Sequence, residues 1–328
     1  MMKNLLLVIS ILLIFFNVKH AQSKTDWVSF TVDNDIFLKS DSGYTNGFSL
    51  TWYDLNEGYY KTTPNAIVAP LLWSVSLSNY SKVYEANTLA QIMMTPEDIS
   101  QTSPPTNDMP YSGLLVYNYA YVASNSRYAD LISTAIGVVG SASGADSSQS
   151  LVHNVTHSEQ PNGWDTQLNN ELVFMFIRGR VWRNWVSSNR RMDFLTHAEI
   201  KLGTIMTVVN SSFMFRFGKG LGATYTTPLL NATRITNPVS IERGWFAYAG
   251  VNAAYVFHQI FTDGNTFTES HSVDYKHEEI GITAGLAYSW HDVSITFSLN
   301  DFNVLASQGD TALNDATSYG SVTLAWKY

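Results

Sequence analysis

The sequence predicts an all-β fold: a twelve-stranded antiparallel transmembrane β-barrel with a short helix in an extracellular loop. Three observations predict it. Charged residues make up 14% of the 328, against about 25% in soluble domains, yet mean hydropathy is only −0.05. Lost charge is therefore replaced by Ser, Thr, Asn, Gly and aromatics. Apolar and small polar residues also alternate with period two along most of the chain. Finally, beyond the N-terminal segment no run approaches the ~18 consecutive apolar residues of a spanning helix.

The first element, Met1–Gln22, reads as a signal peptide. Lys3 supplies the positive start, Leu5–Phe16 is apolar but for Ser10, and Ala21 suits the residue before the cut. Lys19 fits a small-x-small site poorly, so the cut is expected near Gln22 or Ser23. An uncleaved anchor is the alternative. Residues 23–328 then form one barrel domain.

The clearest strand is the last, where Val322, Leu324, Trp326 and Tyr328 alternate with Ser321, Thr323, Ala325 and Lys327. Val293, Ile295, Phe297 and Leu299 oppose Ser294, Thr296 and Ser298 in the same way, as Ile282, Leu286, Tyr288 and Trp290 oppose Thr283, Gly285, Ala287 and Ser289. Near the start, Val28, Phe30 and Val32 face away from Ser29 and Thr31, and Phe48, Leu50 and Trp52 from Gly47, Ser49 and Thr51. A soluble sheet shows Lys and Glu to water. Apolar residues against small polar ones instead mark a wall with lipid outside and a polar interior. A secreted β-sandwich is the alternative reading.

Expected strands are 27–35, 44–54, 84–95, 111–122, 130–140, 168–178, 191–205, 209–218, 244–258, 277–290, 292–304 and 319–328. With the N-terminus periplasmic, the outer loops are 36–43, 96–110, 141–167, 206–208 and 259–276. The segment 56–82, with apolar Ile67–Val75, falls on the inner side as a plug or helix.

Composition excludes several chemistries. No cysteine means no disulfide, thiolate metal site or Cys nucleophile. A net charge of −8 argues against nucleic-acid binding. There is no Gly-x-Ser-x-Gly elbow and no His-Glu-x-x-His. What stands out lies at the outward strand ends. Asp33-Asn34-Asp35 closes strand one and Tyr44-Thr45-Asn46-Gly47 opens strand two. Alternation puts Asp33, Asp35 and Thr45 toward the lumen, with Asn34 pointing the other way unless the strand ends or bulges. Such oxygen donors suit Ca²⁺, although Asp and Asn also cap turns.

In loop 141–167 a helix capped by Ser143 or Asp146 would put Gln149, His153 and His157 on one face, with Glu159 close behind. A His there is a candidate base for activating water. A zinc site of His153, His157 and Glu159 is the alternative.

Ordered blocks over residues 27–178 resemble the outer-membrane lipid A 3′-O-deacylases. They are Val32-Asp33-Asn34-Asp35, Tyr44-Thr45-Asn46-Gly47, Gln91 through Ile99, Asp108-Met109-Pro110-Tyr111-Ser112-Gly113, Gly137-Val138-Val139-Gly140, and Gln149–His153 leading to Gly163–Leu168. The resemblance implies a twelve-stranded barrel in the bacterial outer membrane, its active site facing the outer leaflet, that hydrolyses an acyl ester of lipid A or lipopolysaccharide with Ca²⁺. It implies a metal site of Asn34, Asp35 and Thr45, His153 as the water-activating base, and Glu159 in support. Met109 stands where the family usually has Arg, Ser150 where Asn is common, and His157 where Gly is common; Lys39 is the candidate for a lipid A phosphate. An outer-membrane phospholipase, or a non-catalytic barrel serving as pore or scaffold, are the competing functions.

Overall fold

In a computed structural model, residues 27–34, 43–57, 64–76, 80–223, 225, 243–301 and 318–327 are described. The expected signal peptide lies outside them. Twelve antiparallel strands close on themselves, each paired with its sequence neighbours and β1 with β12. The strands are β1 Trp27–Asn34, β2 Gly43–Glu57, β3 Lys82–Thr95, β4 Ser112–Ser124, β5 Tyr128–Val139 and β6 Glu171–Val186. The second half adds β7 Met192–Gly203, β8 Met206–Gly218, β9 Arg243–Gln259, β10 Glu278–Trp290, β11 Val293–Asp301 and β12 Ser318–Lys327. Closure removes the free edges of a sandwich. Among the described residues no helix is long and apolar enough to cross a membrane; the strands do so.

Parity follows the sequence. On β10, Ile282, Leu286, Tyr288 and Trp290 face outward at 45–50% exposure, whereas Ala287 and Ser289 are buried. Small inward hydroxyls pair across strands, Thr31 with Thr323 at 2.8 Å and Thr51 with Thr88 at 2.9 Å. These pairs satisfy one another's hydrogen-bonding groups along the interior. Further round, His197, Glu199, Lys201 and Arg216 also point inward and are nearly inaccessible. Arg216 donates to both oxygens of Asp193, at 2.8 and 2.6 Å. The lumen at this level is a packed core.

Two elements depart from expectation. The expected sixth strand stops at 178, short of Arg180 and Arg183. In the structure β6 continues to Val186, with a bulge after Arg183. Arg183 reaches Asp193 in the lumen, while Arg178 and Arg180 reach Asp130 on the outer wall. For the 56–82 segment the helix alternative holds, as a 3-10 helix, Ala66–Ser74. It lies outside the barrel, where Val68 packs with Tyr119, Tyr121 and Ile132, residues of the outward rows of β4 and β5. The outer turn between β7 and β8 is Thr204–Ile205, so residues 206–208 belong to β8.

β4 differs from the strands of the far wall: nine of its thirteen residues are buried, on both faces, and none is exposed. Something covers its outward face at each end. At the inner end it is the 3-10 helix. At the outer end it is the loop after β5.

Candidate active site

The loop after β5 folds into a helix, α1 Ala145–Thr156. Its N-cap is Gly144 rather than Ser143 or Asp146; Asp146 sits in the first turn, where a carboxylate suits the helix dipole. Every fourth residue of one face is buried: Ala145, Gln149 and His153. The expected stripe of Gln149, His153 and His157 is thus shifted by one turn.

Register shows where this face docks. Asn34 of β1 lies opposite position 46 of β2, which lies opposite Met93 of β3, which lies opposite Gly113 of β4. Directly opposed residues share a face, and here it is the outward one, continuing Phe30 and Phe48. A Cβ at Gly113 would come within 2.3 Å of both Ala145 Cβ and Ser143 Oγ, so only glycine lets the helix sit this close. Met93, Tyr111, Ala145 and Trp164 form the packed contact, with Phe48 against it. Gln91 donates to the Ser143 carbonyl at 2.7 Å and ties down the start of the helix.

The candidate site therefore lies between α1 and the outer surface of the barrel wall. Asp33 is buried on the inner face of β1, as alternation expects, whereas α1 docks on the outer face. Asn34, at the outer end of β1, stands on the α1 side of the wall, roughly 10 Å or two strand spacings from Met93. Thr45 is the extra residue of a β-bulge between Tyr44 and Asn46. A bulge bends its strand and re-aims a side chain; the side chain of Thr45, and the whole of Asp35 and Lys39, lie outside the described residues.

His153 is 9% exposed, and its Nδ1 bonds the main-chain oxygen of Glu159. A carbonyl only accepts, so Nδ1 carries the proton and Nε2 keeps its lone pair. Glu159 contacts His153 through its carbonyl, and its side chain is exposed. One turn earlier, Gln149 accepts from the Trp164 indole at 2.7 Å. Its Nε2 is fully buried without a partner among the described residues. Sequence reading places Gln149 on the right face but gives no sign of its spare donor, which only the packing of Trp164 creates.

The neighbouring loop braces the site. Asn162 N–H donates to the Ile99 carbonyl at 2.9 Å, and the Tyr111 hydroxyl donates to the same oxygen at 3.0 Å. Burial raises the Tyr111 phenol above its ordinary value, keeping it a neutral donor. Asp98 holds the turn beneath; hydrogen bonds from Ser100 and Gln101 keep its carboxyl below the usual range. Met109 is buried in the loop core, an apolar side chain in an apolar setting.

His157 caps the C-terminus of α1 at φ 59°, in the left-handed region. Glycine is favoured at that position, which accounts for the departure at residue 157. His153, His157 and Glu159 do not come together as a metal-binding group; none of three or more His, Asp or Glu occurs among the described residues. His157→Gly is expected to remove about 1 kcal/mol of backbone strain. Hydrogen exchange should then slow in the last turn of α1; exchange that accelerates would contradict the cap assignment.

Comparisons with known proteins agree with this fold. The profile of the family described as outer membrane protein LpxR matches residues 6–328. Among solved structures, LpxR from Salmonella typhimurium superposes at a TM-score of 0.72 with 16% identity, covering 92% of this chain and all of the other. The translocator domain of the autotransporter NalP from Neisseria meningitidis, at 8% identity and 92% and 87% coverage, reaches only 0.40. The KdgM porin, at 6% identity and 92% and 99% coverage, reaches 0.38. No curated protein sequence matches this chain. The chain belongs to the LpxR family of outer membrane proteins, the lipid A deacylase family that its sequence blocks resemble.

Proposed function

We propose that the protein is a Ca²⁺-dependent lipid A deacylase of the outer leaflet, which uses water activated by His153 to hydrolyse an acyl ester. One observation carries the reading. α1 buries Gln149 and His153 against the outside of the barrel wall, so the site opens sideways to the membrane, where a lipid substrate resides. A pore would need an open lumen, and the buried Arg216, Glu199 and Lys201 argue against one.

The chemistry follows from the atoms. With Nδ1–H held by the Glu159 carbonyl, Nε2 takes a proton from water as its oxygen attacks the ester carbon. The buried Nε2–H of Gln149 is a donor for the oxygen that gains charge. As the tetrahedral intermediate collapses, the acyl–oxygen bond breaks and His153 returns the proton to the sugar oxygen. The products are a fatty acid and a sugar hydroxyl. No acyl-enzyme is required, in keeping with the missing nucleophile elbow.

The donors at the strand ends fit a hard cation. Asn34, Asp35 and Thr45 offer only amide, carboxylate and hydroxyl oxygens, and the chain has no thiolate to prefer a softer metal. Those three residues would hold it; polarising the ester carbonyl is the chemistry such an ion supplies when bound. Purified protein acting on lipid A micelles should stop releasing fatty acid in a chelator and recover when Ca²⁺ is returned. Recovery with Zn²⁺ alone would discard the oxygen-donor site.

A further inference from the structure

A second polar site lies on the outer wall at the opposite end of the barrel from α1. Asp130 of β5 pairs in register with Arg180 of β6, and Arg178 lies opposite Ile132 one step outward. All three side chains point out of the barrel, on the same face as Trp182. Asp130 lies two residues from the inner end of β5, about 6 Å along the strand. Exposed tryptophans surround this level: Trp73 at 87%, Trp182 at 37% and Trp185 at 49%. Such belts mark the membrane–water interface.

The charges here do not balance. The Asp130 carboxylate accepts from Arg178 Nη2, from Arg180 Nε and Nη2 at 2.8 Å, and from the Tyr80 hydroxyl. Its lone pairs are spent on two cations, which leaves one positive charge over. Arg178 spends its other donors on the carbonyls of Ser74, Leu131 and Gly179. Arg180 stacks on Tyr128, 4.8 Å from the ring centre, and its Nη1 has no partner among the described residues. The Arg178 and Arg180 side chains remain 24% and 35% exposed. Surplus guanidinium charge at the level of the headgroups attracts an anionic lipid. Arg180 Nη1 is left as a charged donor for a phosphate oxygen. The apolar 3-10 helix, with Leu71 and Leu72 beside the same wall, offers a surface for acyl chains.

We infer that the Arg178–Arg180 pair, through the remaining Nη1–H of Arg180 and the surplus positive charge of the pair, holds the phosphodiester headgroup of an inner-leaflet glycerophospholipid, and that the 3-10 helix is its lipid-facing flank. The bound lipid supplies the missing negative charge at the inner end of β5 and β6. Lipid A occupies the other leaflet, so this site is separate from the candidate site under α1.

Native mass spectrometry of the full chain in detergent tests it, with phosphatidylglycerol, diacylglycerol or inorganic phosphate added. Wild type should retain one phosphatidylglycerol and neither of the others. Arg180→Gln should lower that occupancy at least about tenfold, as loss of a charged hydrogen bond implies. Equal retention of diacylglycerol, or unchanged retention by the variant, overturns the assignment. If the variant does not fold, wild type alone decides through its unfolding temperature. A rise with phosphatidylglycerol and not with diacylglycerol supports the site; no rise, or the same rise with both, refutes it.

Discussion

His153→Ala is expected to lower fatty-acid release from lipid A by about 10²–10⁴-fold, the usual range for loss of a general base. The barrel should fold and insert as before. His153 sits on a loop helix, contributes no bond to the strand ladder, and packs at one edge of the structure. Fatty-acid release by purified protein gives the rate, and retention of heat-modifiable gel mobility shows that the barrel is formed. The imidazole has the geometry for the role: its Nδ1 proton is fixed on the Glu159 carbonyl, so the ring cannot turn away and Nε2 is the free atom. Full turnover by the variant would remove His153 from the reaction.

Gly113→Val should be nearly as damaging, although Gly113 touches no substrate in this account. The first carbon alone would overlap Ala145 and Ser143, each only 2.3 Å away, so α1 has to lift from the wall. Misplacement of a catalytic group by about 1 Å costs about 10²-fold, and two branches demand more than that. Strand pairing at position 113 runs through the backbone and is unaffected. The expected outcome is a folded barrel with at least about a hundredfold lower turnover. Wild-type turnover by the Gly113→Val barrel would mean that the close seating of α1 is irrelevant to the chemistry.

Much of the fold is legible because the pleat enforces it. Val293, Ile295 and Phe297 have to face lipid once Ser294, Thr296 and Ser298 face the interior, and all twelve strands appear, with β6 alone running well past its expected end. The misses share a cause. Alternation tells which face a residue takes, but not what lies against that face. α1 is expected in an outer loop, yet nothing in its own sequence says that it docks on the outside of the wall. The signal sits in its partner: but for Asn118, Leu114 through Ala123 carries apolar and aromatic residues on both faces, as a strand covered on both sides should. The expected sixth strand stops at Arg178, and Arg180 and Arg183 fall in its continuation. Asp130 and Asp193, distant in sequence, make them tolerable. Gly113 and the left-handed His157 likewise gain meaning only from contacts and dihedral angles.

The central claim is that the site between α1 and the barrel wall removes an acyl chain from lipid A. The mass spectrum of lipid A from cells with and without the expressed protein tests it most directly. Expression should shift lipid A down by the mass of one fatty acyl group while phospholipids keep both of theirs. Unchanged lipid A, or acyl loss from phospholipid instead, would contradict the account.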